Sequence, residues 1–294
     1  MEIIKLNNPT TSPHWFNGGI VDVWGRRLAM YRVSRWPTVL GLSELSPNNV
    51  LSPPVMYPEL RADTTKPVLE YQAEDPRLFV WNEELYCLYA EVRPDFTAGM
   101  RIAKIDRDYK ITSNYPCVCN GMMKAEKNWS PFISDGRLHA IYSTVPGRVL
   151  VYEGKGKWAP FSAPGLEILK SGYDSPWQYG EIRGGTNIIE HKGEFYHFFH
   201  SARHLAQQKV YYMGCYTFDR FLDAKRLTHL PLLFGDVEAA TMPWGPRWGY
   251  MSACFPCGAI RENDTWIISY GWLDSELRLA HIPDEELQAA MFKI

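Results

Sequence analysis

Apolar positions along this chain fall in short runs, and the runs recur in pairs. Five stretches share one form: "GGIVDVWGRRLAMYR", "PRLFVWNEELYCLYA", "SPFISDGRLHAIYS", "TNIIEHKGEFYHFFHS" and "GAIRENDTWIISYG". Each holds an apolar run of strand length, a turn rich in Gly, Asn, Asp or charge, and a second run ending in an aromatic, as a β-hairpin does. Aligned on Tyr31, Tyr89, Tyr142, Phe199 and Tyr270, the copies lie 58, 53, 57 and 71 residues apart. A third short run follows each copy: "TVLGL", "RIAKI", "RVLVY", "YMGCY" and "RLAHI". Five units of at least three strands at this period predict an all-β fold, a five-bladed β-propeller. A β-sandwich would supply the strands but does not call for five similar units. Residues 283–294, "PDEELQAAMFKI", alone read as helix, with Pro in the first turn and acids behind it. No linker or low-complexity segment interrupts the pattern, so residues 1–294 are expected to form a single domain with a short C-terminal helix.

One unit opens unusually, with Glu74-Asp75-Pro76-Arg77 ahead of Leu78-Phe79-Val80. Proline removes a backbone donor, so this tetrad is expected to begin a strand rather than lie inside one. Its charged groups would then stand at the strand mouth, capping a turn or facing a pocket.

Composition narrows the function. With 46% hydrophobic residues the chain can bury a substantial core, and a net charge of -2 argues against nucleic-acid or membrane-surface partners. Eleven Trp and seventeen Tyr suit strands and also the lining of sugar-binding grooves. No basic segment followed by an apolar core opens the chain, and no apolar run approaches the roughly 20 residues of a membrane helix. Six cysteines without a secretory signal then point to reduced thiols and a cytoplasmic location. Cys117 and Cys119, and the Cys254–Cys257 pair, lack the second half of a zinc site; they are expected to be buried, and no metal or cofactor is expected.

In a propeller the innermost strands line the axis, so the residues entering them surround one mouth. Those residues are Asn17, Asp75, Arg77, Lys127, Asn128, Trp129, Arg183 and Thr186; the ones leaving the second strands are Arg32, Arg35, Glu91, Arg93, His200, Arg203 and Asp274. Arg32, Arg77, Arg93, Lys127, Arg183 and Arg203 would repel one another without an anion among them, and phosphate fits the planar guanidinium fork. The alternative is that they pair with Glu74, Glu91, Glu126 or Glu181, or face solvent. Glycoside hydrolysis needs two carboxylates, whereas phosphorolysis needs one acid beside cations because phosphate is itself the nucleophile. Asp75 is the candidate acid and Asp274 the candidate second carboxylate; either could instead cap a turn. Trp129 would stack on a sugar or pack in the core, and His200 would bind the anion or bond a backbone carbonyl.

These motifs, "EDPRLF" above all and then "KNWSPF", "GGTNII", "FFHS", "YYMGCYTFD" and "SYGWLD", resemble glycoside hydrolase family 130, propellers that phosphorolyse or hydrolyse β-mannosides. The resemblance covers nearly the whole chain. It implies that Asp75 is the general acid, acting through a hydroxyl of the bound mannose. Arg77, Lys127, Asn128, Arg183, His200 and Asp274 fall at positions similar to substrate- or phosphate-contacting ones. "IRGGT" and "FPCGAI" depart from the family pattern, and the extra catalytic glutamates of its hydrolases are not mapped onto positions of this sequence. The expectation is inverting phosphorolysis of a β-mannoside, or its reverse. Phosphate would sit among Arg77, Lys127, Arg183, His200 and Arg203, and the sugar against Arg32, Asn128, Trp129 and Thr186. The alternatives are a nucleotide-sugar glycosyltransferase, for which no GxGxxG signature exists, a hydrolase using Asp274, and a non-catalytic sugar-binding propeller.

Overall fold

The computed structural model describes all residues except 35–36, 61–71, 94, 96, 124, 171–174, 206–207 and 237–249. Arg35 therefore lies outside the described residues. The strands pair with their sequence neighbours into antiparallel sheets. Sheet I runs Trp15–Val23, Arg26–Val33, Val39–Glu44, Val55–Tyr57. Sheet II runs Gln72–Trp81, Glu84–Val92, Ala98–Ile105, Ile111–Pro116. Sheet III runs Ser130–Ser134, Arg137–Ser143, Arg148–Gly154, Lys157–Ser162. Sheet V runs Cys254–Glu262, Thr265–Trp272, Glu276–Pro283, and its fourth strand is N-terminal, Glu2–Lys5. That strand lies antiparallel to Glu276–Pro283 and ties the beginning of the chain to its last sheet.

The arrangement is all-β and propeller-like, but among the described residues regular four-stranded blades number four, not five. Sheet IV has seven strands: Ile189–His191, Glu194–Leu205, Gln208–Phe218, Ala224–Thr228 and Met291–Lys293 in order, with Leu233–Phe234 and Tyr250–Ser252 also on Gln208–Phe218. Its Tyr250–Ser252 strand pairs parallel. The helix expected over residues 283–294 covers only Asp284–Ala290, because Met291–Lys293 finds an edge to pair with at Ala224–Thr228.

Local chemistry explains the hairpins. Trp24-Gly25, Asn82-Glu83, Asp135-Gly136 and Lys192-Gly193 are two-residue turns with positive φ at both positions, the form whose twist matches the flanking strands. Packing explains the ring. Strand side chains alternate between faces, and both faces are buried: Val21, Leu28 and Met30 of sheet I meet Leu78, Leu85 and Tyr89 of sheet II, while Ile20, Ala29 and Tyr31 meet Ile260, Ile267 and Leu279 of sheet V. Apolar clusters likewise join II to III, III to IV and IV to V. The aromatics of the repeat share one role, each facing the preceding sheet: Tyr31 toward V, Tyr89 toward I, Phe199 toward III, Tyr270 toward IV.

Near the axis the backbones touch. A Cβ on Gly19 would lie 2.7 Å from the Pro76 carbonyl oxygen, and one on Gly258 would lie 2.2 Å from the Ile20 nitrogen. The Glu74-Asp75-Pro76-Arg77 tetrad does not precede its strand; it lies inside Gln72–Trp81, at a register break between Glu74 and Arg77. Two residues there oppose one, and a bulge is where a strand tolerates proline.

Candidate functional site

The bulge aims Asp75. Its φ is 53°, a left-handed backbone that Asp and Asn accept more readily than most residues. Asn17, in the matching bulge of sheet I, and Asn128, ahead of sheet III, share that conformation at 48° and 67°, as does Asp274 at 48°. The buried Asp75 carboxylate accepts a hydrogen bond from Asn17 Nδ2 at 2.9 Å and from Arg32 Nη1 at 3.2 Å. Burial alone would raise its pKa, but Arg32, Lys127 and Arg77, with the Asn17 bond, hold it below the ordinary carboxylate value.

Glu74 organises the same cations. Its Oε1 accepts Arg32 Nη2 at 3.0 Å and its Oε2 accepts Lys127 Nζ at 2.6 Å. Arg32 thus bridges Glu74 and Asp75, with its guanidinium 4.5 Å from the centre of the Phe16 ring. Asp274, also buried, adds to the field that keeps Arg32 charged. Arg32, Asp75, Lys127 and Asp274 therefore meet at one mouth.

Arg77 plays a different part. It is fully buried, donating from Nε to the Gly185 carbonyl at 2.6 Å, from Nη1 to the Asp75 carbonyl at 2.9 Å and from Nη2 to Asn128 Oδ1 at 3.2 Å. One guanidinium therefore ties the bulge of sheet II to the segments that lead into sheets III and IV. His200 Nδ1 lies 2.6 Å from the Gly184 carbonyl oxygen, so that nitrogen carries the proton and Nε2 is an acceptor. Its ring packs on Tyr211 and Phe255, and burial, aided by Arg77, pushes its pKa down to about 3. A neutral histidine offers phosphate no charge.

Other expected ligands separate from this group. Trp129 is fully buried among Tyr142, Trp158 and the II–III cluster, donating to Glu126 Oε2; no face of it is open to a sugar. Arg203 sits three residues beyond His200 on the same strand, so alternation sends it to the other face, where it is exposed and donates to the Gln178 carbonyl. Arg183 stands at the rim, exposed, in an ion pair with Glu181, and Arg93 pairs with Glu91. Thr186 is buried with its Oγ1 unpaired. Glu74, expected only as a possible partner of these cations, stands at the centre of the cluster; its place one step before the bulge was the available signal.

Beside the cluster lies a cavity of about 530 Å³ lined by Lys127, Asn128, Tyr142, Arg148, Glu181 and Arg183, among others. Arg148 lies 4.4 Å over the Tyr142 ring and donates to the carbonyls of Asn120 and Gly121. A larger hollow of about 1080 Å³ lies at the opposite, hairpin end around Trp24–Arg27 and Glu44, where the charges already pair as Arg26–Glu44 and Arg27–Asp22. Among the described residues no group of three or more His, Cys, Asp or Glu side chains is placed to hold a metal. All six cysteines are free thiols; Cys257 faces the charge cluster, with its pKa raised well above normal by burial.

The chain matches no curated protein significantly. It is similar in structure to a β-1,2-mannobiose phosphorylase from Listeria innocua solved with β-1,2-mannobiose, at 16% identity and a TM-score of 0.66, over 99% of each chain. It is similar to a mannose phosphorylase from Leishmania mexicana in complex with phosphate, at 15% identity and a TM-score of 0.63, over 99% of this chain and 90% of that one. A GDP-Man-dependent mannosyltransferase from the same organism also aligns, at 15% identity and a TM-score of 0.63, over 96% of this chain and 90% of that one. At such identities the likeness shows the fold. The family model described as beta-1,4-mannooligosaccharide phosphorylase matches residues 3–292. The chain belongs to glycoside hydrolase family 130.

Proposed function

We propose that this protein is an inverting phosphorylase of a β-mannoside, working toward breakdown or synthesis. One observation carries the reading. Asp75 is set by a bulge among cations, the neighbouring Glu74 has both oxygens in ion pairs and is not free to activate water, and Asp274 stands in the field of Arg32. That is the demand of phosphorolysis rather than hydrolysis. Phosphate sits against Lys127 and Arg183, reached through the cavity between sheets III and IV. Arg32, Asn128 and the unpaired Thr186 hydroxyl are left for the sugar. Asp274 orients the sugar from the far side of Arg32, and His200 Nε2 accepts from a hydroxyl. A phosphate oxygen attacks the anomeric carbon opposite the leaving group, the glycosidic C–O bond breaks, and the Asp75 proton reaches the leaving oxygen directly or through a sugar hydroxyl. The product is α-mannose 1-phosphate, with no cofactor.

The seven-stranded sheet serves as the fifth blade of one catalytic domain in this reading. The six free thiols suit a reducing compartment, and we place the protein in the cytoplasm. The test is phosphate release from α-mannose 1-phosphate with a panel of acceptor sugars. Acceptor-dependent release that disappears in Asp75→Asn supports the reading; none from the folded protein overturns it for mannose. A second reading, mannosyl transfer from a nucleotide sugar, is favoured by the cavity itself. Lys127, Arg148 and Arg183 line it together and suit a diphosphate. Release of nucleoside diphosphate from GDP-mannose on the same acceptors would select it.

A further inference from the structure

Between the last strand of sheet II and the first of sheet III the chain runs along the rim, with Met123, Ala125 and Lys127 exposed. Glu126 turns inward among them and is buried. Its amide donates to the Ala98 carbonyl of sheet II at 2.8 Å. Its carboxylate gathers donors from three parts of the chain. Oε1 accepts the Met123 amide and, at 2.6 Å, the Tyr142 hydroxyl; Oε2 accepts Trp129 Nε1 at 3.0 Å. A backbone amide and an indole N–H can only donate, so both oxygens serve as acceptors. Burial, with the Glu126 bond, pushes the Tyr142 hydroxyl up to about 12, so it too keeps its proton and donates. Burying a carboxylate is costly unless its oxygens are bonded. Here the bonds are made, and they bind a loop, an inner strand and a second strand into one unit.

The two residues that follow gain from this anchor. Lys127 Nζ reaches Glu74, and Asn128 Oδ1 accepts from Arg77. Asn128 holds a left-handed φ of 67°, and its carbonyl oxygen would lie 1.7 Å from a Cβ on Gly184. The lysine stem is a flexible four-carbon chain, so the place of its ammonium depends on how firmly its backbone is held. Glu126, Lys127, Asn128 and Tyr142 line the same cavity. We propose that Glu126 is a positioning residue for anion binding, which through Tyr142 and Trp129 fixes the Lys127–Asn128 turn so that the Lys127 ammonium meets the phosphate group. This rests on the phosphorolysis reading and adds to it what holds the phosphate ligand in place. Glu74 touches the ammonium itself; Glu126 sets the backbone from which that ammonium reaches.

The experiment uses the full chain in the synthetic direction, with α-mannose 1-phosphate and the acceptor sugar varied in turn. Glu126→Gln puts an NH2 group where one of the donors points. It is expected to raise KM for α-mannose 1-phosphate about tenfold, with KM for the acceptor unchanged and kcat within about threefold. Tyr142→Phe keeps the ring under Arg148 and removes one donor, and should raise the same KM about twofold to threefold. This milder variant carries the test where Glu126→Gln fails to fold. Lys127→Met is expected to raise that KM at least as far as Glu126→Gln. The two substitutions together should be no worse than Lys127→Met alone, because both remove one interaction. A merely structural Glu126 would lower the melting temperature and leave that KM alone, or its effect would multiply with that of Lys127→Met. Either outcome, or a fall in kcat at constant KM, overturns the proposal and spares the phosphorolysis reading. An unchanged KM in Lys127→Met does the same, since turnover that still depends on Asp75 keeps that reading. No acceptor-dependent phosphate release from the folded intact protein overturns both.

Discussion

Asp75 spends backbone strain on aim. A left-handed φ costs an ordinary L-residue about 1–2 kcal/mol, and Asp, Asn or Gly carry it most readily. Asn17, Asn128 and Asp274 hold the same conformation around the mouth, so polar residues of this kind are what the turn of the chain toward the axis selects. Replacing Asp75 by Asn keeps shape and conformation while removing the acid. Turnover is expected to fall by about 10²–10⁴, with little change in melting temperature; unchanged turnover would remove Asp75 from the chemistry. Arg77 shows the contrast between sign and partner. In the sequence it is one more cation for phosphate, but in the structure its three donor nitrogens are spent on the Gly185 and Asp75 carbonyls and on Asn128. Arg77→Leu leaves two buried carbonyls unpaired at about 1–3 kcal/mol each and the half-buried Asn128 Oδ1 without its donor, whereas Arg203→Ala on the exposed face is expected to stay within about 0.5 kcal/mol. Urea melts of the two variants check this. A fully stable Arg77 variant that only binds phosphate poorly would return it to the anion site.

At the scale of the strand and hairpin, much was legible because the signals are local. The two-residue turns carry their own chemistry in Trp24-Gly25 or Asp135-Gly136, and the repeat aromatics recur because each fills the same place against the preceding sheet. What could not be read depends on a partner distant in sequence. Proline at position 76 looked like the start of a strand; only the pairing of Glu74 with Ala90 and Arg77 with Leu88 makes it a bulge. Met291–Lys293 looked helical until the edge strand Ala224–Thr228 offered it bonds. The site follows the same rule. The sequence places Asp75, Lys127 and Arg32 near one mouth, yet that Glu74 occupies the last two is a fact of side-chain reach. Gly19 joins these levels, since its missing side chain lets the Pro76 carbonyl approach. Gly19→Ala forces the inner strands of sheets I and II apart at the Asp75 bulge. It is expected to cost about 1–3 kcal/mol and to lower turnover as well. A variant that loses stability alone would show the bulge to be set by sheet II by itself.

Across the whole molecule, two histidines close to the axis tie stability to pH. His197 accepts from the Gly185 amide at Nε2 and donates to the Tyr216 hydroxyl at Nδ1, and His200 donates to the Gly184 carbonyl. Both are buried and neutral, each with a pKa pushed down to about 3, first by burial and then by Arg77, from an ordinary 6.5. Between those values the unfolded chain binds protons that the folded chain refuses, so stability rises with pH there. Their contribution is complete above about pH 6.5 and is lost as the solution is acidified toward 3. Asp75 also has a lowered pKa, but its share is lost only below the ordinary carboxylate value of 3.8. The interval from about pH 6.5 to 4.5 is thus a histidine window, with an expected slope of up to about 1.4 kcal/mol per histidine per pH unit. The half-buried His139 and His281, also shifted downward, add in the same direction. Urea melts at a series of pH values across the window should show midpoints falling on acidification, and His197→Gln should flatten the slope even if it lowers the midpoint at neutral pH. A flat profile for the intact protein would mean that the folded state accepts these protons, and that the Gly184–Gly185 turn at the Arg77 junction opens to let them in.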